Sequence, residues 1–140
     1  MPWNKVVRGW LPFYIIIFLG LEWILVRPDL SKISGALIYL PAIIIMAAIN
    51  AFGEEFQFRS MVLARIEPVL GSKQAILIAA ALFGLMHYFG DPGSVPGVLL
   101  AGYLGWITAK SMIETRSIVW AFLIHFIGDF LLYIIWAMSI

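Results

Sequence analysis

Seven ionisable side chains stand inside otherwise apolar stretches of this 140-residue chain: Glu22, Glu54, Glu55, Arg59, His87, His125 and Asp129. All except Glu22 fall in three short clusters. These are Gly53-Glu54-Glu55-Phe56-Gln57-Phe58-Arg59, Phe83-Gly84-Leu85-Met86-His87 and His125-Phe126-Ile127-Gly128-Asp129. A charge at mid-bilayer costs about 2.5–3.5 kcal/mol on insertion scales, so a chain does not gather several by drift. Polar clusters on separate apolar segments are expected to converge on one cavity.

The spacings say which groups can cooperate. On a helix Arg59 lies four residues beyond Glu55 and on its face. Glu54 is rotated about 100° away and cannot share that face. Arg59 can therefore hold Glu55 ionised and leave Glu54 free to act as a general base. The bland reading of this cluster is an interfacial helix whose acids and arginine face water. Phe83 sits one turn before His87 and can cover it, although a single histidine at a helix end is more often structural. His125 and Asp129 are four apart and can hydrogen-bond, the acid fixing the imidazole's tautomer and favouring its charged form. A self-satisfied polar pair packing the bundle is the alternative there.

Five apolar segments must position these groups: Trp10 to Val26, Ile33 into the 50s, Gln74 to Tyr88, Val95 to Ala109, and Ile118 to Met138. Apolar residues make up 63% of the chain, charged residues only 12%, and the mean hydropathy is +0.99, too apolar for a soluble chain of this length. The runs are continuous rather than alternating, which selects helices over barrel strands. The expected fold is an all-α, polytopic transmembrane helical bundle with about five membrane segments, one membrane-embedded domain over residues 1–140 with a catalytic core at about 50–130. A crossing takes ~20 residues, so the third and fourth segments are short, and one of them is expected to tilt or stop partway. Ile33 to Ile66 as one helix would run ~50 Å at ~1.5 Å per residue, which predicts a bend near Asn50 to Gly53 or an interfacial continuation. Gly97, Ala101 and Gly105 give the fourth segment a smooth face for close helix packing. Trp10, Trp23, Trp120 and Trp136 are expected as interfacial anchors. The first segment does not read as a cleavable signal, because Glu22 interrupts it and no small-residue cleavage site follows.

The net charge of +1 does not point to nucleic acid, and the absence of cysteine excludes disulfides and thiol catalysis. If all five segments cross, Lys5, Arg8, Arg65, Lys73, Lys110 and Arg116 share one side, against Arg27 and Lys32 on the other. The positive-inside rule then places the N-terminus in the cytoplasm.

Together the three clusters resemble the CPBP family, the CAAX proteases and bacteriocin-processing enzymes, also called intramembrane glutamic endopeptidases. That family's pattern is EExxxR, then FxxxH, then HxxxN or HxxxD, each on its own membrane helix. The resemblance covers roughly residues 50 to 130. It implies a protease in which Glu54 activates water, His87 positions it, His125 and Asp129 stabilise the oxyanion, and Glu55 and Arg59 support the site, with no cofactor and no metal. Well-studied members carry asparagine at the position of Asp129. An ionised aspartate would repel an oxyanion, so Asp129 is expected to act by keeping His125 cationic. The implied partners are the lipid bilayer and a membrane-anchored protein or peptide: a prenylated CAAX protein, a peptide leader or a C-terminal sorting tag. The inner membrane of a prokaryotic cell is the expected location. Members often have eight helices, so a homo-oligomer or another partner is expected to complete substrate selection.

Other readings use the same residues. A zinc protease would draw ligands from three helices, without an HExxH motif. A bacteriocin-immunity protein would bind rather than cut, and a proton-coupled transporter would relay protons, although no repeat symmetry supports transport. The charge asymmetry is testable at once. A topology reporter at the C-terminus is expected to read as extracytoplasmic, and a cytoplasmic reading would mean that a short segment fails to cross.

Overall fold

The structure, a computed structural model, describes residues 2–140. Every regular element among the described residues is helical. Five long helices follow one another through short turns: α1 (Trp3–Val26), α2 (Leu30–Leu70), α3 (Ser72–Phe89), α4 (Ser94–Thr115) and α5 (Val119–Ala137). All but α4 are long and apolar enough, by length and composition, to cross a membrane. The protein is an all-α, polytopic integral membrane bundle.

Four of the five helices meet that criterion, in keeping with a bundle of about five membrane segments. Length is not what sets α4 apart, since its 22 residues reach ~33 Å. It is rich in glycine, serine and threonine, and Gly97, Ala101, Gly105, Thr108 and Ser111 are among its buried residues. A helix shielded by its neighbours does not need a lipid-compatible surface all round.

No break in the helix marks the place near Asn50 to Gly53 where a bend was expected. Regular α-helix runs unbroken from Leu40 to Glu55. Ile43, Ala47, Ala51 and Glu55, spaced four apart, are buried along this stretch. It packs closely against α5. The irregularities lie on either side: a tight 3₁₀ turn at Leu37–Tyr39, and a wide π-type stretch at Phe56–Leu63. The wide stretch keeps Arg59 and Leu63 on the inner side with Glu55, all three fully buried. π-type widening of this kind is found disproportionately at functional sites.

The closest helix pair is α3 with α4, and small residues permit it. A Cβ added to Gly84 would lie 2.5 Å from the Val98 carbonyl oxygen, and one on Gly105 would lie 3.0 Å from the Phe83 Cβ. One on Gly97 would meet the His87 carbonyl oxygen at 3.0 Å. The face formed by Gly97, Ala101 and Gly105 therefore looks inward.

The chain reversals put residues 27–29, 90–93 and 138–140 at one end of the bundle. The N-terminal residues, Gly71 and residues 116–118 lie at the other. At the first end the Asp29 N–H donates to the Met138 carbonyl at 3.0 Å, and Lys32 Nζ donates to the Ile140 carbonyl at 2.9 Å. At the second, Arg116 bridges to Glu67 at 2.9 Å. α1 leans on the bundle edge. Between Leu11 and Val26 only Tyr14 and Glu22 are buried.

Because the α3–α4 contact has no slack at Gly84, Gly84→Ala should destabilise the fold by about 1–3 kcal/mol, as overpacking does. Gly20, which has open space around it, should accept alanine at no such cost. Unfolding of both variants in mild detergent micelles would measure the difference.

Candidate active site

The site begins with a buried cation. Arg59 is fully buried, and a guanidinium in that position is costly unless paired; its Nε and Nη2 are engaged, while Nη1 has no hydrogen-bond partner among the described residues. Its Nε lies 2.8 Å from Glu55 Oε2, and its Nη2 lies 3.3 Å from Glu55 Oε1. Nε also donates to Thr108 Oγ1 at 3.0 Å, and Nη2 makes a further contact with the same hydroxyl. Thr108 in turn donates to the Leu104 carbonyl at 3.0 Å. The Phe83 ring covers the guanidinium, with Cζ 4.9 Å from its centroid.

Glu55 passes this anchoring across to α5. Its Oε1 lies 2.9 Å from His125 Nδ1. A carboxylate accepts, so Nδ1 carries the proton and the ring is fixed with Nε2 facing the cavity. The pairing expected from spacing is therefore adjusted. Asp129 stands 3.5 Å from His125 Nε2, beyond a good hydrogen bond, while Glu55 makes the close contact. Phe83 also lies edge-on to His125, with ring centroids 5.7 Å apart.

His87 is oriented independently. α3 ends there in a 3₁₀ turn, His87–Phe89, and the backbone N–H of His87 bonds back to Gly84. The Phe83 carbonyl is thus left to accept from His87 Nδ1 at 2.8 Å. The His87 ring rests against Phe83 with centroids 4.6 Å apart, so Phe83 covers it as the spacing implied.

Glu54 is placed as its rotation from Glu55 requires. Its Oε2 lies 3.6 Å from His87 Nε2 and 3.8 Å from His125 Nε2, with no arginine or lysine paired to it. Its side chain keeps 29% of its surface exposed, whereas that of Glu55 keeps none. The four residues Glu54, His87, His125 and Asp129 share one cavity of about 210 Å³. Its wall continues along Tyr14 and Phe18 of α1, Leu100 and Leu104 of α4, and Tyr133 and Trp136 of α5. Gly90, Asp91 and Pro92 of the turn after α3 line it as well. All six site residues expected from the sequence are thus brought together, four on the cavity wall and two directly behind it.

Three participants carried a weaker sequence signal. Asn50, one turn before Glu54, lines the cavity and donates from Nδ2 to Asp129 Oδ2 at 3.0 Å. It is an amide in an otherwise apolar run and shares the Glu54 face, a signal readable in principle. Thr108 is a hydroxyl four residues past Leu104 with nothing nearby in sequence to mark it. Trp136 was expected only as an interfacial anchor, yet it lines the cavity. Among the described residues, no three histidine and carboxylate groups are arranged to hold a metal ion.

A family model described as type II CAAX prenyl endopeptidase, Rce1-like, matches residues 36–131. No curated protein and no solved structure matches the chain.

The Arg59–Glu55 pair is the part of the site most exposed to a stability test. Arg59→Met alone strands a buried carboxylate and should cost about 3–5 kcal/mol. The double variant Glu55→Gln/Arg59→Met should cost clearly less than the two single changes combined. Additive losses in a double-mutant unfolding cycle would show that the pair is not coupled.

Proposed function

The chain belongs to the Rce1-like family of type II CAAX prenyl endopeptidases, and on that premise we propose that it hydrolyses a peptide bond of a membrane-associated protein or peptide with water activated by Glu54. The observation that carries this reading is the setting of Glu54. It is a carboxylate on a cavity wall with no arginine or lysine paired to it and with two imidazole nitrogens at 3.6 and 3.8 Å. Those separations exceed a direct hydrogen bond and suit a bridging water.

The steps follow from the donors and acceptors. Nδ1 of His87 is committed as a donor to the Phe83 carbonyl, so Nε2 can accept a hydrogen bond from the water and aim it. Glu54 removes the water's other proton as the oxygen attacks the peptide carbonyl carbon. The carbonyl π electrons move onto its oxygen, and two donors meet the resulting charge. One is Nε2–H of the His125 imidazolium, which Glu55, Asp129 and Glu54 surround with negative charge. The other is the second N–H of Asn50, whose first is held by Asp129. Collapse of the intermediate breaks the C–N bond, and the proton held by Glu54 passes to the departing amine. Asp129 thus acts through its neighbours, and an aspartate can occupy this position because an amide donor stands beside it.

The site lies among membrane helices, so the substrate chain must enter from the bilayer or from the end marked by Asp91. With the N-terminus in the cytoplasm, that end faces outward.

Cleavage assays on purified variants test the assignment. Glu54→Gln should stay folded and lose activity by about 10²–10⁴-fold, the usual worth of general-base catalysis. His125→Ala and Asn50→Ala should each lower kcat, the first by about 10²–10³-fold as for other oxyanion donors. Asp129→Asn should retain most activity because its amide oxygen still accepts from Asn50. Chelators should leave the rate unchanged. An active Glu54→Gln enzyme, or activity restored only by added metal, would overturn the mechanism.

A further inference from the structure

The mechanism uses one stretch of the cavity wall and leaves another without a task. On α5, His125, Asp129, Leu132, Tyr133 and Trp136 fall at positions i, i+4, i+7, i+8 and i+11, which puts them on one helix face. All five line the cavity. The first two are assigned to chemistry, and the last three are apolar or aromatic. α1 runs in the same direction as α5 and adds Tyr14 and Phe18, four apart. A smaller crevice shared by Tyr14, Phe18, His125 and Asp129 shows that the two walls adjoin.

These rings stand in pairs and are not used up by packing. Tyr14 and Phe18 stack with centroids 5.7 Å apart, and Tyr133 and Trp136 lie 5.5 Å apart at 42°. Phe18, Tyr133 and Trp136 are only half-buried, so each keeps apolar surface that another group can cover. Beyond Asp129 the cavity-lining residues of α1 and α5 carry no charge. Asp91 also lines the cavity, but it is exposed on its turn and stays hydrated. The distance from the chemistry follows from the helix. Leu132 and Trp136 lie three and seven residues past Asp129, about 5 and 10 Å along the axis at ~1.5 Å per residue. An extended peptide advances ~3.3 Å per residue, so the aromatic wall runs beside the first to third residue from the reacting carbonyl.

We propose that Phe18, Tyr133 and Trp136, together with Leu132, form a subsite that binds a large apolar side chain of the substrate, aromatic by preference, one to three residues from the bond being cut. A ring entering there meets the faces and edges of other rings and leaves the reacting groups to the peptide itself. The subsite rests on the protease reading for its substrate, but the binding does not require cleavage. Phe18, Leu132, Tyr133 and Trp136 all lie outside residues 36–131, the part matched by the family model, whereas every group assigned to the reaction lies within it. Selection is thus built from segments of this chain that flank the matched region.

The test uses the full chain carrying Glu54→Gln, so that peptides bind without being cut, in nanodiscs of phosphatidylcholine. The probes are fluorescent decanoyl-anchored pentapeptides of alanine in which one phenylalanine, or one lysine, is moved through the five positions. Titration of empty nanodiscs subtracts each peptide's own affinity for lipid. Anisotropy should show at least one position where phenylalanine binds roughly tenfold more tightly than alanine, the worth of a desolvated ring packed among rings. Adding Trp136→Ala should cut that preference to about twofold or less while leaving the all-alanine peptide unchanged, and Trp136→Phe should keep it. If Trp136→Ala does not fold, Phe18→Ala on the adjoining wall decides. Equal affinities at all five positions would overturn the subsite. So would lysine binding more tightly than phenylalanine at the preferred position, or an alanine variant that weakens every peptide equally, as a mere membrane anchor would. In the chain with Glu54 intact, fragment masses should place the cut one to three residues from the preferred position. A chain that shows the preference yet cuts nothing would instead count against the protease reading.

Discussion

A single buried guanidinium organises this molecule. Removing Arg59 from water and lipid headgroups costs several kcal/mol, which the structure offsets with one carboxylate, one hydroxyl and one aromatic face. Those partners come from three different helices: Glu55 from α2 itself, Thr108 from α4 and Phe83 from α3. Satisfying one charge therefore fixes the relative rotation of three helices. Through Glu55 it also fixes the imidazole of a fourth, α5. The geometry of Glu54 is a by-product of this constraint. Once Glu55 is turned inward to Arg59, its neighbour must point about 100° away, and that direction is the cavity.

The glycine contacts between α3 and α4 perform a second task. Lipid gives helices little hydrophobic reason to associate, so close backbone approach has to supply the packing. Gly84 against Val98, and Gly97 against the His87 carbonyl, bring the end of α3 near enough for its terminal histidine to reach Glu54. The helix is tightened at that end, so the carbonyl that orients the ring is available. Packing and chemistry are coupled here through the same turn.

Much of this was legible in the residues. Charges are costly in an apolar chain, so Glu54, Glu55, Arg59, His87, His125 and Asp129 stood out, and the four-residue period paired Glu55 with Arg59 correctly. What spacing along one helix cannot express is contact between helices. His125 was matched to Asp129, its neighbour on α5, while its closer partner Glu55 lies 70 positions away. Thr108 and Asn50 are neutral, carry little insertion cost and so raised no flag, although both complete the hydrogen bonding. The bend expected at Asn50 to Gly53 followed from total helix length and a glycine. That stretch, with Ala47, Ala51 and Glu55 buried, is unbroken α-helix, and the wide π-type turn comes after it. The fourth segment read as short, from Val95 to Ala109, because its smaller and more polar residues hid a helix that runs 22 residues from Ser94 to Thr115.

The position of α1 separates two properties that enzymes usually entangle. The groups assigned to bond making and breaking sit on α2, α3 and α5, braced by α4, whereas α1 supplies only one wall through Tyr14 and Phe18. It leans on the bundle with two buried residues along most of its length, so its lipid-facing side is free of packing demands. The bundle therefore divides its labour: four helices hold the reaction centre, and the first helix, joined to the main apolar core through Val6 and Tyr14, shapes the wall that faces it.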